Sequence, residues 1–268
     1  MRLVNIGETA TRIMDRHASS HEWMVWINHR LIAGDGAVGA REKADIADRL
    51  LAARAEPDRV KRFLAGFRSP WMYPAFFVPP FNHGKKLPTI LGQRPGTHIF
   101  SANSHELEIL RLLVLFAPDD PKVRDMAART LDRLRTTCFG FKGCEKGECF
   151  DASLAALRFL AAATPGEREW MEGLIQKYHQ HFHDKKRSWQ IKWYYGLCLS
   201  ELPEEMARYW LARYPDQWPR PENAPARHWK NDSALAPALA GILRRCPGHP
   251  PVAVPAREAR LRLPLTYG

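Results

Sequence analysis

The sequence predicts an all-α fold built from four to five α-α hairpins. Apolar residues recur at helical spacing through most of the 268 residues, whereas the alternation typical of β-strands is scarce. The predicted helices come in pairs separated by turn sequences such as APDDP, TPGE and ELPEE. After a first helix near position 20, the first helices of successive pairs begin near positions 104, 151, 190 and 230. A period of about 40 residues with two helices in each unit is typical of stacked α-α hairpins.

The predicted helices follow one another within a single domain. Residues 1–68 contain an amphipathic helix over 22–32 and a longer helical pattern over 41–67. Residues 101–247 hold the remaining hairpins, and residues 248–268 form a Pro-rich tail. The helices predicted in the hairpin region cover 104–116, 121–135, 151–163, 167–182, 189–201, 203–213 and 229–245.

An inserted segment, residues 69–100, separates the N-terminal helices from the hairpin region. It contains six prolines and many aromatic residues, and neither a helical nor a strand pattern fits it. Because its aromatic side chains need apolar surroundings, we expect the segment to fold over the helices as a loop or lid and not to be disordered. Lys85 and Arg94 lie near glycines and could bind an anion.

Composition and charge limit the class of partner. The net charge of +11 favours anionic partners, either a small anionic molecule or nucleic acid. No apolar run approaches the length that crosses a membrane, and the N-terminus has no apolar signal core, so we expect a cytoplasmic protein. The five cysteines are then expected as reduced thiols or metal ligands. The absence of a Walker loop, a dinucleotide fingerprint, HExxH and a nucleophile elbow excludes several common enzyme classes.

Two stretches of the sequence place Ser-His-Glu in front of a helical run of large apolar residues. Each stretch matches a capping box, in which a polar cap and a Glu three residues later bond to each other's amides. The boxes would pair Ser19 with Glu22 and Asn103 with Glu106. Capping explains these four residues but not the histidines. His105 and Glu106 are therefore candidates for a general acid/base pair at the start of a helix.

The other first helices also begin with polar residues beside aromatic ones. Their starts read ECFDAS (148–153), SWQIKWYY (188–195) and HWKNDS (228–233). If the first helices line the inside of a curved stack, their N-termini converge on one pocket, where the helix dipoles favour an anion. The predicted catalytic residues are His105, Glu106, Asp151 and Asp232, and the predicted substrate-binding residues are Trp189, Lys192, Trp193, Trp229, Lys85 and Arg94. The alternative is that the polar residues are ordinary helix caps.

Two clusters contain metal-binding residue types without a complete set of ligands. Cys138, Cys144 and Cys149 lack the paired CxxC spacing of a structural zinc site, and a fourth ligand would have to come from elsewhere. His179 and His183 lie four residues apart, but the C-terminus of a helix favours histidine through its dipole. We therefore predict no cofactor from these clusters and keep zinc or another divalent metal as the alternative.

The segment FGFKGCEKGECFDASLAALRFLAA, residues 139–162, resembles the repeat of the terpenoid cyclase and protein prenyltransferase toroids, in which a glycine-rich turn leads into an inner helix. SWQIKWYYGLCLSEL, residues 188–202, looks like a second copy without the turn. The resemblance implies an α/α toroid, or part of one, with an active centre at the ends of its inner helices. The family's acidic cyclase motif and its spaced zinc ligands are missing, so neither activity is implied. APDDPKVRDMAARTLDRL is similar to HEAT-like solenoid repeats, which offer the competing analogy.

Two functions are compatible with these features. The first is a toroid-like enzyme that uses the acid/base residues at the inner-helix N-termini on a small anionic substrate, as a lyase, isomerase, cyclase or hydrolase. The alternative is a non-catalytic helical-repeat protein that binds nucleic acid or a protein partner through a basic concave face.

Overall fold

A computed structural model describes residues 19–34, 38–80, 86–142, 147–180, 188–213 and 235–245. Within these ranges all regular secondary structure is helical, as the sequence predicts. The α-helices are α1 (Ser20–Ala33), α2 (Ala40–Ala52), α3 (Pro57–Leu64), α4 (His98–Phe116), α5 (Pro121–Thr136), α6 (Gly147–Ala163), α7 (Arg168–Gln180), α8 (Trp189–Ser200), α9 (Glu204–Arg213) and α10 (Leu235–Arg245). A 3-10 turn lies at Pro70–Met72 and a π-helical turn at Cys138–Lys142. None of these described helices combines the length and the apolarity that crossing a bilayer requires.

Side-chain caps fix the starts of α1 and α5. Ser19 Oγ accepts a hydrogen bond from the amide of Glu22 (3.3 Å), and the Glu22 carboxylate accepts one from the amide of Ser19 (2.7 Å). The capping box predicted at this position is therefore confirmed. At α5, Asp120 accepts hydrogen bonds from two amides of the first turn, and Pro121 occupies a position where a helix does not need its amide.

The capping box predicted at Asn103 is wrong, because α4 begins at His98 and not near residue 104. Thr97 is the N-cap and accepts a hydrogen bond from the amide of Phe100 (3.4 Å). No residue between positions 98 and 104 breaks a helix, so the end of the inserted segment becomes the first turn of α4. Asn103 lies inside the helix, and its side-chain amide donates to the carbonyl of Met72 (2.8 Å).

Two further helix boundaries differ from the sequence pattern. The pattern over 41–67 is divided into α2 and α3, because Pro57 cannot continue a helix and begins a new one instead. α6 begins at Gly147, so Asp151 and Ser153 lie in its second turn and are not the N-caps considered as the alternative.

Burial separates the helices into two groups. In α4 every residue from Phe100 to Leu113 is buried, and in α6 every residue from Phe150 to Leu160. α1, α8 and α10 are buried along most of their described length. In α5, by contrast, the buried residues are Val123, Met126, Thr130 and Leu134, which form one face. These five, α1, α4, α6, α8 and α10, are termed the enclosed helices, whereas α5 packs through one face and exposes the other.

The enclosed helices contact one another in chain order. α1 packs against α4, α4 against α6, α6 against α8 and α8 against α10, and α10 packs against α1. α5, α7 and α9 each pack against the enclosed helix that precedes them, and α2 packs against α4.

Paired contacts show that neighbouring enclosed helices run in the same direction. Glu148 at the start of α6 accepts hydrogen bonds from the amides of Gly96 and Thr97, which lead into α4 (2.5 Å each). Near the other end, Arg158 of α6 contacts Glu108 of α4 (2.5 Å). Between α6 and α8, the contact nearer the N-terminus of one helix is also the contact nearer the N-terminus of the other, so these two helices run in the same direction as well.

The contact between α1 and α10 depends on a glycine and two arginines. A Cβ atom on Gly241 would lie 1.9 Å from the carbonyl oxygen of Ile32, so any larger residue would force the two helices apart. Arg244 donates to the carbonyl of Ala33, and Arg245 donates to that of Leu31 (2.8 Å). These arginines satisfy carbonyl groups at the C-terminal end of α1 that have no partner within the helix.

Several aromatic and aliphatic residues of the inserted segment belong to the core, although Trp71 is 56% exposed. Phe76, Phe77, Leu87 and Leu91 are each at most 2% exposed. Ser101 of α4 accepts a hydrogen bond from the amide of Leu87 (2.7 Å), which fixes this part of the segment to the helix.

Candidate functional site

The histidines of the two Ser-His-Glu stretches lie in contact. The ring centroids of His21 in α1 and His105 in α4 are 5.7 Å apart, with the rings tilted by 46°. Both residues are buried, and His105 is only 1% exposed. Neither ring nitrogen of His105 has a hydrogen-bond partner among the described residues, and the same holds for Nδ1 of His21. These two residues are termed the histidine pair.

Burial keeps the histidine pair uncharged at neutral pH. Loss of hydration lowers the pKa of His21 to about 4, although the charge of Glu22 acts in the opposite direction. Burial also lowers the pKa of His105 well below its usual value, and His21 and Arg59 lower it further. A neutral imidazole has one nitrogen that accepts a proton and one that donates. His105 therefore has a donor and an acceptor that no contact in the described part of the chain uses.

Glu106, next to His105 in sequence, has a different set of partners. Its carboxylate accepts hydrogen bonds from the amides of Phe76 (2.7 Å) and Phe77 (2.9 Å) in the inserted segment and from a third amide at residue 75 (3.2 Å). It also forms a salt bridge with Arg133 of α5 (3.0 Å). These contacts make Glu106 an anchor for the inserted segment, and the acid/base role of Glu106 stays a prediction.

A second polar cluster joins four of the enclosed helices. Arg158 of α6, which is 0% exposed, contacts Glu108 of α4 (2.5 Å) and Glu201 at the end of α8 (2.5 Å). Arg111 of α4 contacts the same Glu201 (2.9 Å), and Asn28 of α1 accepts a hydrogen bond from Arg158 (3.0 Å). The four charged residues are termed the interior ion network.

Opposite charges outweigh burial in setting the pKa values of Glu201 and Arg158. Burial alone would raise the pKa of Glu201, but Arg111 and Arg158 lower it to about 2. Burial alone would lower the pKa of Arg158, but Glu108 and Glu201 raise it well above its usual value. The hydroxyl of Tyr194 donates to Glu108, and burial and this carboxylate together raise the tyrosine pKa. Each charge in the network has a partner of opposite sign, which is the arrangement expected of a structural cluster.

Asp151 lies in an aromatic environment between α6, α7 and α8. It is buried, and the hydroxyl of Tyr178 donates to its carboxylate (3.3 Å). Tyr178 stacks on Phe150 with ring centroids 4.3 Å apart and contacts Tyr195 at 4.9 Å. A carboxylate and two tyrosine rings are thereby brought together, although their shared position could not be predicted from spacing.

The predicted substrate-binding residues differ widely in exposure. Trp193 is completely buried in the core and Trp189 is half-buried, whereas Lys192 and Arg94 are exposed. Their role as walls or charges of a pocket stays a prediction. The predicted site residues that lie outside the described part of the chain are Lys85, Trp229, Asp232, Cys144 and His183.

The metal-ligand candidates that the structure describes are Cys138, Cys149 and His179. The two sulfur atoms are 3.1 Å apart, and His179 lies in the last turn of α7. No group of three or more potential ligands comes together within the described ranges.

A cleft of about 210 Å³ lies between the start of α1 and the end of α2. Ser20 and Trp23, which flank His21 in sequence, are among its lining residues, and so is Arg49. The guanidinium of Arg49 lies over the Trp23 ring at 4.9 Å. The cleft therefore offers an aromatic surface and a cation at the end of α1 that carries His21.

The sequence interpretation missed the interior ion network, although a signal for it is present. Glu108 and Arg111 interrupt the apolar run of α4, and Arg158 interrupts that of α6. A charged residue in a helix that is otherwise apolar on all sides needs a partner in the core. The partners themselves cannot be predicted from local spacing, because Arg158 is 50 positions from Glu108 and 43 from Glu201.

Comparison of the chain with protein-family models, with curated proteins and with solved structures found no match.

Proposed function

We propose that this chain is an α/α-toroid-like enzyme in which the histidine pair transfers protons to and from a small anionic substrate. The proposal depends on one observation: both ring nitrogens of His105 are buried and have no hydrogen-bond partner among the described residues. A buried polar atom without a partner costs about 1–3 kcal/mol of stability. Such an atom calls for a specific explanation, and use by a ligand or a reaction is one that accounts for both nitrogens.

The order of helix contacts supports a closed arrangement. α1, α4, α6, α8 and α10 contact one another in turn, and α10 returns to α1, as expected for the inner helices of a toroid. Parallel neighbours bring their N-terminal halves to the same end. His21 and His105 lie in the first halves of α1 and α4, and Asp151 lies in the first half of α6. This supports an active centre towards the N-terminal ends of these helices.

The neutral state suits the histidine pair to proton transfer. Because burial lowers the pKa of both rings, each is a free base near pH 7 and can accept a proton from a substrate. The ring that accepts a proton from the substrate becomes an imidazolium, and it can return that proton at another position of the substrate. Isomerases, lyases, cyclases and hydrolases all need these two roles, so the reaction type is left open.

Positive charge near the histidine pair favours an anionic substrate. Arg59 is close enough to lower the pKa of His105, and Arg49 lies over Trp23, two positions after His21 in α1. An anion bound here would be attracted to both arginines. It would also raise the pKa of the histidines and help them to hold a transferred proton.

Replacing His105 with leucine separates a catalytic from a structural role. If the ring serves a reaction, His105→Leu should raise the free energy of unfolding by about 1–2 kcal/mol, because it removes unsatisfied polar atoms at similar volume. His29 is a matched control in α1: its Nε2 bonds to the carbonyl of Ile90 (2.5 Å), so His29→Leu should destabilise the protein. Urea unfolding of both variants measures the difference.

The same variants test substrate binding. We expect at least one member of a panel of phosphate monoesters and di- and tricarboxylates to raise the melting temperature of the wild type by several degrees at saturation. His105→Leu should abolish that rise and any turnover detected by NMR. If His105→Leu is as destabilised as His29→Leu, the ring is structural and the proposal fails.

Binding of nucleic acid is a second candidate, which the surface around α3 supports. Arg54, Arg59, Lys61, Arg62 and Arg68 are all exposed there. Trp71 is 56% exposed near the same segment and could stack on a base. If this function holds, single-stranded DNA should bind with an affinity that falls steeply with salt, and replacing Lys61 and Arg62 with alanine should reduce that slope by about two.

A further inference from the structure

We propose that Cys138 and Cys149 form a redox-active dithiol that closes to a disulfide when the protein meets a low-molecular-weight disulfide. The two Sγ atoms are 3.1 Å apart. A disulfide bond needs about 2.05 Å, so small rotations of the two side chains are enough to form it. The inference does not depend on the proposed enzymatic function.

The two cysteines lie where the chain passes from α5 to α6. Cys138 begins the π-helical turn after α5, and Cys149 lies in the first turn of α6. Both are partly exposed, so a small oxidant can reach them. Cys198 in α8 is fully buried, and burial raises the pKa of its thiol. It is therefore the natural control cysteine.

The backbone on both sides of the cysteine pair is held by hydrogen bonds. The indole of Trp170 donates to the carbonyl of Gly140 in the π-helical turn (2.7 Å). A Cβ on Gly140 would lie 2.5 Å from the carbonyl oxygen of Leu134, which shows how closely this turn packs on α5. Glu148, beside Cys149, is held by the amides that precede α4. The short distance between the sulfurs is therefore set by packed elements.

The reaction is a thiol–disulfide exchange. The thiolate of one cysteine attacks a sulfur of the oxidant RSSR, forms a mixed disulfide and expels one RS⁻. The second thiolate attacks the protein sulfur of the mixed disulfide, forms the Cys138–Cys149 bond and expels the other RS⁻. The two cysteines lose two electrons, the oxidant gains them, and the two thiol protons pass to the medium or to RS⁻.

Peptide mapping can identify the bond directly. The full chain is equilibrated with glutathione disulfide and glutathione at defined ratios, alkylated and digested with trypsin. Cleavage after Lys142 and Lys146 separates residues 136–142 from residues 147–158 and leaves Cys144 in its own peptide, 143–146. We expect residues 136–142 to be linked to residues 147–158 at oxidising ratios, and the link to disappear on reduction.

Variants and melting curves complete the test. Cys138→Ser and Cys149→Ser should abolish the linked peptides, whereas Cys198→Ser should leave them unchanged. The oxidised wild type should melt about 5–10 °C above the reduced protein, because the bond closes a short loop. The proposal is overturned if both cysteines are alkylated at every ratio or if Cys144 is the bonded partner. It is also overturned if purified protein contains equimolar zinc that protects both thiols.

Discussion

Arg158 and Glu108 form a 2.5 Å salt bridge in which the side chains are 0% and 1% exposed. The pair joins α6 to α4, and Arg158 extends the contact to Glu201 at the end of α8. The attraction compensates for the lost hydration only while both partners are present. α4, α6 and α8 therefore each supply a charged residue that the buried charges of the other helices need as a partner.

Arg158→Met should destabilise the protein by about 3–5 kcal/mol, because it removes the guanidinium that pairs with the buried Glu108 and one of the cations that pair with Glu201. Urea unfolding measures the loss. Arg168 provides the matched control, since its 3.1 Å pair with Glu205 lies on the surface with side chains 56% and 78% exposed. Arg168→Met should change stability by less than about 1 kcal/mol. If the two substitutions lower the free energy of unfolding equally, burial is not the reason why the Arg158 pairs matter for stability.

Acidification should destabilise the protein between about pH 6.5 and pH 4. The pKa of His21 is lowered from 6.5 to about 4 in the folded protein, and that of His105 is lowered in the same direction. In this window the unfolded chain binds protons that the folded chain does not, so the free energy of unfolding falls as the pH falls. Each histidine should contribute on the order of 1 kcal/mol per pH unit.

Urea midpoints at pH 7, 6 and 5 measure this slope, and His105→Leu should make it shallower. Glu201 does not contribute to the slope between pH 7 and pH 5. Its pKa is lowered to about 2 in the folded protein, so its stabilising effect is lost only as the pH falls below 4.5, the usual pKa of a glutamate. A wild type whose stability is constant from pH 7 to pH 5 would show that the histidines are not buried as neutral groups.

Glu106→Gln should loosen the inserted segment. The carboxylate accepts three backbone hydrogen bonds and pairs with Arg133, and glutamine cannot replace a buried negative charge in those contacts. We expect a loss of about 2–3 kcal/mol and faster amide hydrogen exchange at residues 75–77. Glu22→Gln at the exposed capping box of α1 should cost no more than about 1 kcal/mol and leave that exchange unchanged.

Gly241→Ala and Gly173→Ala should have opposite effects. At Gly241 a Cβ would meet the backbone of α1 at 1.9 Å, so alanine should destabilise the contact between α10 and α1 by about 1–3 kcal/mol or more. At Gly173, which is exposed in the middle of α7, a Cβ meets nothing within 4 Å. Alanine there should stabilise the protein by about 0.5–1 kcal/mol. If both substitutions shift the melting temperature in the same direction, the close approach of α10 to α1 at Gly241 is ruled out.

The features that could be predicted from the sequence are those with local signals. The start of α1 follows from Ser19 and Glu22, which lie within one turn of each other. The start of α4 has a local cap in Thr97, but the hydrogen bonds that Glu148 accepts from the amides of Gly96 and Thr97 span about 50 positions and could not be predicted from spacing. The spacing predicts Glu106 as a member of an acid/base pair with His105, but the partners of its carboxylate lie 27–31 positions away and could not be predicted. The repeated Ser-His-Glu stretch singled out both histidines, whereas their contact results from the packing of α1 on α4.

Arg244 and Arg245 bind carbonyl groups that lie 211 and 214 positions earlier in the chain. At a synthesis rate of roughly 5–20 residues per second, the last turn of α1 leaves the ribosome some 10–40 s before the helix that covers it. During this interval the carbonyl groups of Leu31 and Ala33 lack the arginines that bind them in the folded protein. The C-terminal end of α1 should therefore stay uncovered until α10 has been made, and slower translation should prolong that exposure.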